Sequence, residues 1–74
     1  MLYNGIMDAT MTRVGEKVRK LRKARRWSQQ ELGDRAGVTA QTVWNLETGR
    51  HVPETATLLK IARALGVPLS ELLE

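Results

Sequence analysis

Apolar residues in the first half of the chain recur at helical spacing. Val14, Val18 and Leu21 lie three and four positions apart. This predicts a first helix over about Arg13 to Arg25, with polar residues on the remaining circumference. Ser28 and Glu31 stand three apart and have the spacing of a capping box, flanked by Trp27 and Leu32 at the positions of a hydrophobic staple. A second helix therefore starts after Ser28. It ends at Ala36, where Gly37 is placed for a left-handed cap. Thr39 is the next N-cap, with Val38 and Val43 again at staple spacing. A third helix follows from Ala40 to Thr48 and stops at Gly49. Pro53 precedes a fourth helix, about Glu54 to Leu65, with Leu58, Leu59, Ile61, Ala62 and Leu65 apolar and Gly66 ending it. "VPLSELLE" forms a last short helix with Leu69, Leu72 and Leu73. The fold class expected is all-α: five short helices around one small aliphatic core.

Residues 1–12, "MLYNGIMDATMT", show no period and contain the turn signal Asn4-Gly5. They read as a loose arm or tail, ahead of a domain over 13–74. Gly15 reads as a weak point near the start of the first helix.

Only Gly37 and Val38 separate the second helix from the cap of the third, so those two helices must cross. Gly33 lies mid-helix, where glycine costs roughly 1 kcal/mol against alanine; the cost makes sense if another helix approaches closely there. At about 100° per residue, Val43 and Leu46 fall on one arc of the third helix. Ala40, Gln41, Trp44, Asn45 and Thr48 fall on the opposite one. Trp44 therefore faces outward among polar neighbours. Gln and Asn can each bond adenine at two atoms in the major groove, and Ala or an aromatic can meet the thymine methyl. The outward arc has the chemistry of a DNA-reading surface.

Charge agrees with that reading. Of twelve basic residues, eight lie close together: Arg13, Lys17, Arg19, Lys20, Arg22, Lys23, Arg25 and Arg26, opposed there by Glu16 alone. So lopsided a segment suggests a polyanionic partner. Cysteine is absent, which excludes disulfides and thiolate metal sites. No apolar run approaches the ~18 residues of a membrane span. His51 stands alone in a loop, and Ser28 and Ser70 are explained by capping. No metal, cofactor or catalytic constellation is expected, and neither is an enzyme.

The run "VRKLRKARRWSQQELGDRAGVTAQTVWNLETGRHVPETATLLKIARALGVPLSELL" resembles the Cro/repressor-type helix-turn-helix family, which includes lambdoid phage repressors and small bacterial regulators. The resemblance covers about Arg13 to Leu73 and implies a lambda-repressor-like DNA-binding domain. It implies base reading by Ala40, Gln41 and Asn45, with Trp44 between them. It implies phosphate contacts from Gln29, which also buttresses the reading helix, from Thr39, and from Thr48, Arg50 and His51 in the following loop. Ser28, Arg19 and Lys23 join that set. Arg22 and Glu47 match a buried ion pair, which removes Arg22 from the DNA-contacting residues. Two positions depart from the family pattern. Gly33 replaces the commoner alanine, a loosening change. Trp44 is bulky where relatives carry smaller polar residues, and could stack on DNA or fold over Arg19 or Lys23. The expected function is a transcriptional repressor binding a pseudo-palindromic operator as a homodimer, with Leu69, Leu72 and Leu73 as the dimer surface. The expected setting is the cytoplasm of a bacterium or the host of a phage. The alternatives are an antitoxin with a toxin partner and a protein-interaction module on the same fold.

Overall fold

The computed structural model describes residues 2–50 and 53–74, with side chains from Thr12 onward. The described residues form five helices: α1 (Leu2–Ala24), α2 (Gln29–Ala36), α3 (Ala40–Thr48), α4 (Thr55–Leu65) and α5 (Leu69–Leu72). The bounds of α2 and α3 coincide with those the caps predict. Ser28 Oγ accepts from the Glu31 amide at 2.9 Å, and Thr39 Oγ1 accepts from the Thr42 amide at 3.0 Å. Gly37, Gly49 and Gly66 end their helices at φ 76°, 70° and 74°, where an L side chain would be strained.

α1 differs from expectation. It begins at Leu2, so residues 2–12 are helical and continuous with the rest of α1. Extending an existing helix adds one hydrogen bond per residue ordered, whereas nucleation is the costly step. No proline interrupts the chain before Pro53. At its other end α1 closes in a Schellman motif, with Trp27 N bonded to Arg22 O at 3.2 Å and Arg26 N to Lys23 O at 2.9 Å. Arg26 takes the left-handed position there at φ 60°, a conformation the sequence pattern did not indicate.

The core is aliphatic, as the scarcity of aromatics requires. Val14 and Val18 from α1, Leu32 from α2, Val43 and Leu46 from α3, Ile61, Ala62 and Leu65 from α4, and Leu72 from α5 are all buried together. α3 packs on α1 and α2, α2 on α4, and α5 closes against α1 and α4. One apolar position lies outside the core, and one expectation needs correction. Leu59 is exposed, because it falls outside the arc shared by Ile61, Ala62 and Leu65. Leu72 is only 1% exposed, so it completes the core and is unavailable as a dimer surface. Leu73 is exposed and Leu69 half-buried.

Gly15 is a contact and not a weak point. A Cβ there would lie 2.5 Å from Leu46 O and 2.6 Å from Glu47 O, so α1 rests backbone-to-backbone on the end of α3. Alanine at 15 would add roughly 1 kcal/mol of helix propensity, against about 1–3 kcal/mol of overpacking. Backbone atoms cannot rotate aside, which places the penalty toward its upper end. Gly15→Ala is expected to lower the melting temperature by roughly 5–15 °C in thermal denaturation. A melting temperature equal to the parent's would show that α1 and α3 separate without cost.

Candidate nucleic-acid interface

The α2–turn–α3 unit is held at both ends by glycine. A Cβ on Gly33 would lie 2.7 Å from Val38 O, 3.1 Å from Thr39 C and 3.2 Å from Ala40 N. The missing side chain brings α2 against the start of α3, as the cost of glycine at that position predicts. Gly33 thereby tightens the crossing, contrary to the loosening expected of it. Gly15 does the same at the far end of α3. The capping box is half formed: Ser28 caps, but the Glu31 carboxylate takes Arg35 Nε at 2.7 Å. An i,i+4 pair at full helical reach competes successfully with the reach back to the cap.

The predicted ion pair is present. Arg22 Nε donates to Glu47 Oε2 at 2.6 Å and Nη2 to Oε1 at 3.0 Å, a bidentate geometry. Arg22 Nη1 also donates to Trp27 O at 2.7 Å. The two side chains are 9% and 3% exposed. The hydrogen bond to Glu47 raises the Arg22 pKa above its ordinary value; burial opposes this, and the Glu47 charge adds to it. Gln29 Nε2 donates to Glu47 Oε1 at 3.2 Å. One carboxylate near the end of α3 thus ties down the end of α1 and the start of α2. Among the described residues no buried side-chain polar atom lacks a partner.

The outward arc of α3 presents Gln41, Trp44 and Thr48 exposed, with Ala40 and Asn45 half-buried. Gln41 Nε2 donates to Asn45 Oδ1 at 3.1 Å. That bond leaves Gln41 an acceptor and a donor for one base edge, while Asn45 keeps both its N–H donors. Trp44 is 38% exposed. Its partner is neither Arg19 nor Lys23: the Arg50 guanidinium lies over the ring, 5.1 Å from its centroid. The indole walls two shallow notches. One, of about 340 Å³, is lined by Gln29, Ala40, Gln41 and Trp44. The other, of about 180 Å³, is lined by Arg19, Arg22, Gln29, Trp44, Glu47 and Thr48.

The structure sorts the phosphate candidates. Gln29, Arg19 and Arg50 surround the outward arc of α3, on which Thr48 lies. The Thr48 hydroxyl proton is engaged with Trp44 O at 2.8 Å, so Thr48 offers acceptors and not a donor in this arrangement. The Ser28 and Thr39 oxygens serve as caps. Lys23 is exposed but lines neither notch. His51 lies outside the described residues. Arg25, counted with the basic segment, donates to Leu21 O at 2.9 Å and also to Leu65 O. It joins α1 to the end of α4, a role whose partners lie too far along the chain for a local pattern to find. Among the described residues, no group of His, Cys, Asp and Glu could hold a metal ion, and no helix is long and apolar enough to cross a membrane.

Two short helices crossing at a glycine-tight turn, the second with a polar outward arc, are a helix-turn-helix, the reading unit of a DNA-binding domain. Comparison with known proteins agrees. The family model described as helix-turn-helix matches residues 18–72. The chain is 40% identical over 55 residues to an uncharacterized HTH-type transcriptional regulator, YgzD, of Bacillus subtilis strain 168, covering 74% of this chain and 83% of that protein. It is 38% identical over 64 residues to the HTH-type transcriptional repressor RghR of the same organism, covering 85% of this chain and 47% of RghR. The crystal structure of the restriction-modification controller protein C.AhdI from Aeromonas hydrophila superposes with a TM-score of 0.83 at 31% identity, covering 86% of this chain and 97% of that one. The chain belongs to the Cro/C1-type helix-turn-helix family of DNA-binding transcription regulators.

Proposed function

We propose that this chain is a repressor that binds a pseudo-palindromic operator as a homodimer and acts by occupancy. The observation that carries the reading is the hydrogen-bonded Gln41–Asn45 pair on the outward arc of a helix whose two ends are locked by backbone contacts at Gly33 and Gly15. A pre-ordered pair of amides on a groove-sized helix is suited to reading adenine edges. Arg19 and Arg50 flank that arc with positive charge for the phosphates. The repressor role is supported by the similarity to RghR. The dimer surface we assign to α5 and the residue after it, where Leu73 is 54% exposed and Leu69 half-buried. Two copies would then address half-sites about 34 Å apart, one turn of the duplex.

Selection of bound duplexes from a random library, followed by titration at several salt concentrations, tests the reading. The expected product is a two-fold symmetric site bound with a steep salt dependence. Salt-sensitive binding with no preferred sequence would reduce the claim to the basic surface of α1. On the selected site, Gln41→Ala and Asn45→Ala are each expected to cost roughly 1–3 kcal/mol and to relax preference at one base pair per half-site. Unaltered affinity and preference in both variants would remove α3 from the groove.

A further inference from the structure

We infer that the notch between Trp44 and Ala40 receives the C5-methyl group of a pyrimidine, so that this chain requires thymine at one position of each half-site. The inference rests on the groove-reading role of α3 proposed above and adds a chemical group to it. Its basis is the lining: the Ala40 methyl, the Trp44 indole, and the amides of Gln29 and Gln41, with no charged side chain among them.

A phosphate is a poor occupant. Among the described residues no cation lines the notch, and the Gln29 amide nitrogen is already turned to Glu47 Oε1, 3.2 Å away. The Glu47 carboxylate lines the neighbouring notch and is neutralised there by Arg22. The neighbouring notch, which Arg19 lines, is where a phosphate belongs. A neutral, partly apolar group suits the Trp44–Ala40 notch instead, and the thymine methyl is the apolar group the major groove offers.

The walls are held in place. Arg50 covers the indole at 5.1 Å, Thr48 bonds the Trp44 carbonyl at 2.8 Å, and Gln41 is fixed to Asn45 at 3.1 Å. The small side chain at position 40 leaves the space that a larger residue would fill. Trp44, the departure from the family pattern, thus becomes a specificity-determining residue of this chain.

The test uses the full chain and the symmetric site obtained by selection. Each thymine is replaced in turn by deoxyuridine, which removes only the methyl, and affinity is read by fluorescence anisotropy. One position is expected to lose about fourfold per half-site, the worth of one buried methyl. Trp44→Ala is expected to bind the thymine and uracil sites alike at that position. Trp44 lies outside the core, and circular dichroism checks that the variant folds. Ala40→Val, which adds two methyl groups to the wall facing Trp44, is the second variant, and is expected to weaken the thymine site more than the uracil site. If every thymine tolerates replacement, or if the sensitive one stays equally sensitive in both variants, the inference is overturned while sequence-specific binding stands. If selection returns no preferred sequence, the proposed function fails first and the inference falls with it.

Discussion

Glu47→Ala melts far below the parent, with a loss of about 3–5 kcal/mol. The substitution leaves the Arg22 guanidinium, 9% exposed at its side chain, without the carboxylate that holds it at two nitrogens. It also removes the acceptor of Gln29. Small domains hold only about 5–15 kcal/mol in all, so the loss approaches the whole margin. The shift should be on the order of 15–30 °C, read by circular dichroism. Glu47→Gln, which keeps the shape and one acceptor, should fall between. The double variant Arg22→Met with Glu47→Leu should recover most of the loss, because replacing both partners by apolar groups leaves no stranded charge. The partially stable single variants, assayed at low temperature, should keep the parent's preference for operator sequence, since the carboxylate faces inward. A Glu47→Ala protein as stable as the parent would show that the pair holds nothing.

Val43→Asp does not fold at 25 °C. Val43 is fully buried among aliphatic side chains from the other helices, and the buried cation among the described residues, Arg22, is already held by Glu47. A buried, unpaired charge costs several kcal/mol after relaxation, and the deleted methyl groups leave unfilled space besides. The control is Trp44→Asp, one residue along on the opposite arc, which should retain helical circular dichroism and a cooperative melt. If Val43→Asp folds and Trp44→Asp does not, α3 is turned the other way and its reading arc is misassigned.

The legible parts of the fold were those governed by neighbours in sequence. Ser28, Gly37, Thr39 and Gly49 set the ends of α2 and α3 because caps act within four residues of themselves. The outward arc of α3 followed from the same short period. What escaped were contacts across the chain. Gly15 carries no local mark of a backbone partner more than thirty residues away. Arg25 looks like any other surface cation until Leu65 O is placed beside it. Arg22 and Glu47 stand 25 residues apart, and family resemblance is what paired them. Within the site, the position of Trp44 was readable, but its stacking partner Arg50 depends on how the chain turns after Gly49. The leucines of α5 divide by geometry that a four-residue helix cannot reveal: Leu72 points inward and Leu73 outward.

Backbone contact at both ends of α3 has a thermodynamic consequence. A helix pinned at Gly33 and Gly15 has little conformational freedom left to surrender when it enters a groove. Binding should then show the heat-capacity change of the buried contact surface alone, without the larger negative term that accompanies coupled folding. Calorimetry across a range of temperatures would separate the two, and would place the adjustable partner on the DNA side.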